Sequence, residues 1–197
     1  MFRISRAWRL AAAVLVAGCL ALPSPGLARS GGAHLYVLLG FAGLSPGLSD
    51  FGDRIGQRGI PTTVGSYGEW PAFAQEAIQK YKSGRLSSIM IVGHSLGGSA
   101  ARAMAAELGE AGVPVSLVVT LDPVGGQDVP RNVRRSVNIV PGAGEDHFSM
   151  IEAHRSELNG YVMGTRTARA THARARTRGA QPDTDGWPTL DGRMNSY

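Results

Sequence analysis

The chain has 197 residues, of which 43 % are hydrophobic and 7 % aromatic, a composition typical of a soluble globular domain and unlike that of a disordered chain. Its formal net charge is +5, but the basic excess lies at the two ends. Residues 1–28 contain three Arg and no acid, and residues 159–197 contain six Arg and three Asp, which leaves 11 basic and 12 acidic residues between them. Because a nucleic-acid-binding domain usually carries positive charge on the fold itself, this distribution argues against nucleic acid as a partner.

The first 28 residues have the pattern of a secretory signal. Three arginines precede an apolar stretch at residues 10–22, which is too short to span a bilayer and is followed by small residues. Two processing sites compete: cleavage after Ala28, and acylation of Cys19, whose preceding residues resemble a bacterial lipobox. We expect an exported protein, periplasmic or secreted, that attaches to a membrane through Cys19 if this residue is lipidated; an uncleaved anchor is the alternative. Cys19 is the only cysteine, so no disulfide can form within the chain.

The body of the chain alternates short apolar strands with helices. The strands are predicted at residues 34–40, 62–64, 88–92, 115–121 and 137–140. The helices are predicted between Ser49 and Gly59 and at residues 71–81, 100–108 and 148–158. Apolar strands without polar alternation are typical of parallel strands buried on both faces. The pattern therefore predicts an α/β fold, with a doubly wound, mostly parallel sheet of about five strands and helices on both faces.

We expect one folded domain over residues 29–160. Beyond it, the stretch from Thr165 to Arg178 consists almost wholly of Thr, Ala, Arg and His, and the rest is polar with Pro and Gly. Such a composition offers little apolar surface to bury. Residues 161–197 are therefore predicted to be a basic, disordered tail, with binding to an anionic surface as an alternative role.

The strongest chemical signal is a Gly-x-Ser-x-Gly motif centred on Ser95. It directly follows a predicted buried strand and directly precedes an Ala-rich helix, which is the setting of a nucleophile elbow. Glycines at 93 and 97 let a tight turn form where side chains would collide with neighbouring backbone. The motif predicts Ser95 as a catalytic nucleophile; an inert serine in a Gly-rich turn is the alternative.

A serine hydroxyl needs a base, and His147 is the candidate. It lies in the loop after the last predicted strand, which opens on the same edge of a parallel sheet as the elbow. His34 begins the first strand and is expected to be structural, whereas His94 is expected to pack or to hydrogen-bond locally. His154 falls on the closing helix and His172 in the tail.

The base in turn needs a carboxylate to orient it. Asp122 follows the strand after the elbow helix, so it is predicted to lie at the same carboxyl edge of the sheet as Ser95. Asp146 and Glu145 are alternatives, because they also follow a strand. However, they are so close to His147 in sequence that their side chains should seldom turn to face it. Asp122 is therefore favoured, and an Asp that only caps a turn before Pro123 is its alternative role.

Two backbone N–H groups are predicted to form an oxyanion hole. The N–H of Leu96 lies at the start of the elbow helix, where donors are free and the helix dipole favours negative charge. The second donor is expected in the loop after the first strand, where we favour Phe41 over Ala42. Together they would bind the oxygen of a tetrahedral intermediate.

Two motifs resemble those of the α/β-hydrolase superfamily. Gly-His-Ser-Leu-Gly-Gly at 93–98 is similar to the elbow of its lipases and esterases, and Leu-Asp-Pro at 121–123 resembles that of the pancreatic-type lipases. The likeness covers roughly residues 34–158 and implies that Ser95, Asp122 and His147 form a triad. The chain departs from larger members, because it lacks their early antiparallel strands, a His-Gly-Gly-Gly loop and an insertion long enough for a lid. The resemblance therefore implies a minimal fold with an open, cutinase-like cleft.

These residues predict a serine hydrolase that cleaves a carboxylic ester of a small-molecule or lipid substrate through an acyl-enzyme. A thioesterase or acyltransferase could use the same residues, and a non-catalytic exported binding protein that keeps the turn is a further alternative. No metal or organic cofactor is expected, because the histidines are scattered and no ligand cluster is apparent.

Overall fold

The computed structural model describes residues 31–126 and 128–179. The strands are β1 Gly32–Leu39, β2 Thr62–Ser66, β3 Leu86–His94, β4 Leu117–Leu121 and β5 Ser136–Ile139. The α-helices are α1 Leu48–Gln57, α2 Trp70–Lys82, α3 Leu96–Glu110, α4 Ser149–Ala153 and α5 Arg155–Gly179. Two short 3₁₀ helices, Phe41–Gly43 and Tyr67–Glu69, follow β1 and β2.

The five strands form one parallel sheet in the order β2-β1-β3-β4-β5. The predicted α/β fold with a parallel sheet of five strands is therefore confirmed. The chain leaves β1 toward β2 on one side and later returns to place β3 on the other. The carboxyl ends of β1 and β3 thus lie at a switch point of the topology, where open α/β sheets form their ligand-binding crevice.

Helices cover both faces of the sheet because successive side chains of its strands alternate between two apolar cores. In β1, Tyr36 and Leu38 pack against α2 and α3, whereas Leu35 and Val37 pack against α1, α4 and α5. All four side chains are fully buried. Strands buried on both faces explain why the sequence shows apolar runs rather than polar alternation.

The C-terminal helix extends beyond the predicted end of the domain at residue 160. The predicted helix 148–158 is instead divided at His154 into α4 and α5, and α5 continues to Gly179, where a disordered tail was expected. Val162 is fully buried against the core that α1 also covers. The Arg166 guanidinium donates a 2.8 Å hydrogen bond to the carbonyl of Arg58 at the end of α1. The contacts of α5 with the folded body thus include Val162 and Arg166, which lie beyond the predicted end of the domain.

The predicted signal sequence at 1–28 and the last residues of the predicted tail, 180–197, lie outside the described residues. Within the part of the chain that the structure describes, no helix is long and apolar enough to cross a membrane.

Candidate active site

Ser95 lies on the turn between β3 and α3 with strained backbone angles, φ 56° and ψ −123°. A residue with a side chain seldom adopts positive φ. Two hydrogen bonds hold the turn: the Ser95 N–H donates to the carbonyl of Leu121 at 2.9 Å, and the N–H of Gly98 donates to the Ser95 carbonyl at 2.9 Å. The first bond ties the turn to the end of β4, immediately before Asp122.

The two glycines of the motif are needed because backbone passes directly beside them. A Cβ atom at Gly93 would overlap the carbonyl of Gly97, and a Cβ atom at Gly97 would overlap the carbonyl of Leu38 at the end of β1. The first turn of α3 therefore packs against the ends of both β3 and β1. This close packing presents Ser95 at the switch point of the sheet.

Two segments that adjoin Ser95 carry backbone N–H groups without a partner in the described structure. The first N–H groups of a helix have no partner within it, and among the described residues no acceptor takes the N–H of Leu96. The same holds, within the described chain, for the N–H groups of Phe41 and Ala42. A Cβ atom on Gly40 would lie 3.2 Å from the Cβ of Ser95, so this loop passes close to the serine. Leu96 directly follows Ser95, and Phe41 and Ala42 directly follow Gly40, so the predicted oxyanion donors belong to segments that adjoin the serine.

The structure brings Asp122 and His147 into direct contact. The Oδ2 atom of Asp122 lies 2.6 Å from Nδ1 of His147, a distance typical of a strong, charge-assisted hydrogen bond. Asp122 has a positive φ of 40°, and its N–H donates to the carbonyl of Ile139 at the end of β5. With Nδ1 protonated toward Asp122, Nε2 of His147 can accept a proton, and no described residue bonds to it.

The other two candidate carboxylates make different contacts. Oδ1 of Asp146 accepts the N–H groups of Ser149 and Phe148 at 2.8 Å each, and these hydrogen bonds lower the pKa of Asp146. Oε2 of Glu145 accepts the N–H of Gly142 at 2.9 Å and lies 3.2 Å from Nε2 of His154. Asp146 thus fixes the entry to α4, Glu145 closes a turn, and neither carboxylate hydrogen-bonds the ring of His147.

Ser95 lies at the same edge as the Asp122–His147 pair, but its hydroxyl is not hydrogen-bonded to His147 in the described structure. The Ser95 carbonyl accepts the N–H of Val124 at 3.3 Å, two residues after Asp122. The neighbouring ring of His94 lies 4.4 Å from the His147 ring, measured between centroids. Catalytic hydrogen bonds often tighten only when substrate binds, so this arrangement is compatible with proton transfer from serine to histidine.

His94 makes contacts over longer sequence distances than the sequence predicts. It is fully buried and lies within hydrogen-bond distance of two groups far away in sequence, Ser45 and the His147 carbonyl. We expected local contacts because the residue adjoins Ser95. Strand alternation was the available signal: it places His94 on the same face as Val92, the face that α1 and α4 cover.

Exposed apolar side chains surround this edge. The described chain has six exposed large hydrophobic residues, and five of them closely follow the carboxyl ends of β1, β4 and β5 or adjoin His147. These five are Phe41, Leu44, Val124, Val140 and Phe148. A cavity of about 460 Å³ opens beside the segment that carries His147, and it is lined by Pro46, Gly47, Asp146, Phe148, Ser149 and Glu152. The rim of the site thus combines these exposed apolar side chains with a cavity whose lining is apolar and acidic.

A second groove, of about 410 Å³, has a different character. It lies between α1 and α5, and its lining includes Arg54, Arg58 and Arg155. Its residues do not include any of the candidate catalytic side chains. Within the described part of the chain, no group of three or more His, Cys, Asp or Glu side chains is placed to hold a metal ion.

No family model matches the chain, and no curated protein is significantly similar to it in sequence. The family resemblance therefore continues to depend on the motifs at 93–98 and 121–123. What the structure adds is the geometry of one sheet edge: a strained serine, a carboxylate–imidazole pair and free N–H groups.

Proposed function

We propose that this protein is a serine hydrolase with a minimal α/β-hydrolase fold, which cleaves carboxylic esters through an acyl-enzyme on Ser95. The observation that carries the proposal is the 2.6 Å contact between Asp122 and His147 at the same edge as the strained Ser95 turn. Strained residues often occur at functional sites, where the surrounding fold maintains them. The residues 1–28 support export, with lipid attachment if Cys19 is acylated.

In the proposed first step, Nε2 of His147 takes the proton of the Ser95 hydroxyl as Oγ attacks the ester carbonyl. The new Oγ–C bond pushes the carbonyl electron pair onto oxygen. The N–H groups of Leu96 and of Phe41 or Ala42 stabilise that negative charge, and a donor of this kind contributes about 3–4 kcal/mol. The ester C–O bond then breaks, and His147 gives its proton to the departing alcohol.

In the second step, His147 removes a proton from water, which attacks the acyl-enzyme carbonyl. The Oγ–C bond breaks, Ser95 regains its proton from His147, and a carboxylic acid leaves. Asp122 remains ionised throughout and holds the imidazole with Nδ1 protonated, because this tautomer leaves Nε2 free to act as the base.

The apolar rim supports an ester with an apolar acyl or alcohol group as substrate. Phe148 is next to the proposed base, His147. Phe41 and Leu44 belong to the loop after β1, which passes beside Ser95 at Gly40. Burial of such a group removes apolar surface from water, which contributes about 25 cal/mol per Å². A thioester would fit the same chemistry, so a thioesterase or acyltransferase is the alternative within the enzyme class. A non-catalytic exported binding protein remains the alternative outside it.

A fluorophosphonate probe and the substitution Ser95→Ala test the proposal. We expect the wild-type protein to be labelled and to hydrolyse p-nitrophenyl esters, with a preference among graded chain lengths that reports the apolar site. Ser95→Ala should lose labelling and at least ~10⁴-fold of kcat, because the covalent step is removed. Ser83→Ala, an exposed serine at the end of α2, is the control and should behave like wild type. Absence of labelling and of hydrolysis in the wild-type protein would favour the binding-protein alternative.

A further inference from the structure

We propose that His94 is a positioning residue, which ties the loop carrying the oxyanion donor to the loop carrying the catalytic base. The inference rests on the proposed function and goes further, because it gives a task to a residue outside the proposed triad. His94 directly precedes Ser95, yet its ring points away from the hydroxyl chemistry and into the core.

A chain of three hydrogen bonds crosses the imidazole of His94. The N–H of Gly40 donates to Oγ of Ser45 at 2.9 Å, and this hydroxyl lies 2.9 Å from Nδ1 of His94. On the other side of the ring, Nε2 lies 2.8 Å from the carbonyl oxygen of His147. These contacts join residues 49 and 53 positions away from His94. The three bonds therefore connect the loop after β1, the elbow and the loop after β5.

The donors and acceptors of these three hydrogen bonds limit where the protons can lie. The Gly40 N–H can only donate, so Ser45 Oγ accepts from it, and the hydroxyl can donate its own proton to Nδ1 of His94 when that nitrogen is unprotonated. The His147 carbonyl can only accept, so Nε2 of His94 must carry a proton. In the neutral ring this is the only ring proton, and Nδ1 accepts from the Ser45 hydroxyl. A protonated ring would carry a second N–H that faces the Ser45 hydroxyl, which would then need another acceptor.

The surroundings of His94 favour this neutral form. The side chain is fully buried, and burial lowers its pKa; the hydrogen bond to the His147 carbonyl and the charge of Asp122 act in the opposite direction. The titratable groups that face it are His147 and Asp122. During the proposed reaction His147 becomes a cation, with its ring 4.4 Å from that of His94 between centroids. A neutral ring tolerates this charge, whereas a cationic ring would repel it.

Each end of this chain of hydrogen bonds has a consequence for the proposed catalysis. At one end, Ser45 holds the Gly40 N–H and thereby the turn that presents Phe41 and Ala42 beside Ser95. At the other end, the bond to the His147 carbonyl fixes the backbone of the base, whose side chain contacts Asp122. Displacement of reacting groups by about 1 Å can reduce a rate ~10²-fold, so loss of both links should reduce kcat much more than substrate affinity.

The test compares His94→Phe and His94→Gln with a matched variant, His34→Phe. His34 is the other buried histidine of the described chain; it lies near the start of β1 and hydrogen-bonds Oγ1 of Thr63 at 2.8 Å. We expect His94→Phe to lower kcat on a p-nitrophenyl ester ~10²-fold with KM within ~3-fold. His94→Gln, which keeps a donor and an acceptor, should recover part of this loss. His34→Phe should be destabilised to a similar extent but keep the kcat of wild type per folded molecule.

Equal losses of kcat in His94→Phe and His34→Phe would overturn the proposal, because a general loss of packing would then explain both. Unchanged kcat in folded His94→Phe would overturn it as well. If His94→Phe does not fold, Ser45→Ala removes the two hydrogen bonds that Ser45 Oγ makes, to Gly40 and to His94, and keeps the bond between His94 and the His147 carbonyl. It should therefore lower kcat ~10-fold, less than His94→Phe does. A Ser45→Ala variant with wild-type kcat would count against the role of this loop.

A second readout does not depend on hydrolysis. In the Ser95→Ala protein with ¹⁵N-labelled histidine, NMR should show His94 as the neutral tautomer protonated at Nε2. The low-field proton between His147 and Asp122 should shift when His94 becomes Phe and stay in place in His34→Phe. An unmoved proton would refute the positioning role even if no ester substrate were found. Absence of hydrolysis by the wild type together with the expected shift would instead reject the proposed function and leave the structural link intact.

Discussion

Positive φ angles are concentrated at the proposed site. Among the described residues that are not glycine, three have positive φ, namely Ala42, Ser95 and Asp122. They lie after β1, β3 and β4 respectively, all at the carboxyl edge of the sheet. A side chain in this region of conformational space costs about 1–3 kcal/mol, so the fold must compensate for it elsewhere. Their coincidence at one edge supports the interpretation of this edge as a functional site.

Asp122 and Asp146 can be distinguished by a matched pair of substitutions. We expect Asp122→Asn to lower kcat ~10⁴-fold, because an amide can stabilise the wrong tautomer of His147. Asp146→Asn should stay within ~3-fold of wild type, since this carboxylate accepts backbone N–H groups at the start of α4. Steady-state rates on one p-nitrophenyl ester give the comparison, and the reverse order of effects would assign the acid to Asp146.

At the scale of the elements, the position of α3 depends on how closely it approaches the sheet. Its first turn packs against backbone at the ends of β1 and β3, which only glycine at 93 and 97 permits. The Ala-rich face of α3 continues this close approach, with Ala101 and Ala105 fully buried. The close packing of α3 on the sheet thus depends on the same two glycines that shape the proposed nucleophile turn.

Gly97→Ala should therefore destabilise the protein, whereas Gly160→Ala should not. At 97 the new Cβ would overlap the carbonyl of Leu38, and the strain should cost ~2 kcal/mol or more. At 160, in α5, a Cβ atom would meet nothing within 4 Å, so the higher helix propensity of Ala should stabilise the protein by about 0.5–1 kcal/mol. Urea unfolding monitored by circular dichroism measures both values. Similar stability of the two variants would contradict the close packing at the elbow.

At the scale of the whole molecule, buried histidines make stability depend on pH. Burial, together with the nearby charge of Lys80, lowers the pKa of His34 from 6.5 to about 4, although Glu76 acts in the opposite direction. Above pH 6.5 His34 is neutral in both folded and unfolded chains and makes no pH-dependent contribution. As the pH falls from 6.5 to about 4, the unfolded chain takes up a proton that the folded chain does not, so stability falls. The loss of stability is complete once His34 is protonated in both the folded and the unfolded chain.

The contribution of His34 can be isolated with His34→Gln. The difference between 6.5 and about 4, at ~1.4 kcal/mol per pH unit, corresponds to a loss of about 3 kcal/mol. The pKa of His94 is also lowered, so His94 likewise makes stability fall as the pH falls. For His154 the sign is opposite, because Glu157 and Glu145 raise its pKa. His154 therefore contributes stability at acidic pH that is lost as the pH rises. We expect the unfolding free energy of His34→Gln to fall less than that of wild type between pH 7 and 4. Parallel curves would show that His34 does not titrate as proposed.

The order of strands and helices was predictable because its signals are local. Apolar runs mark strands buried on both faces, and glycines at 93 and 97 mark a turn too tight for side chains. The C-terminal end of the folded domain is harder to predict from local sequence. There, composition predicts disorder beyond residue 160, whereas Val162 and Arg166 of α5 contact the folded body of the protein. Such contacts join distant segments and leave little trace in local sequence.

The sequence by itself determined the strand-turn-helix around Ser95, since steric limits and hydrophobic periodicity operate over a few residues. Only the tertiary structure decided which carboxylate meets His147 and what His94 holds together. Those contacts join residues 25, 49 and 53 positions apart. Candidate carboxylates at 122, 145 and 146 all follow strands of a parallel sheet, and the sequence favours Asp122 only because the other two are close to His147 in sequence. In the structure one Asp122 oxygen lies 2.6 Å from Nδ1 of His147, whereas Asp146 and Glu145 accept backbone N–H groups of their own turns.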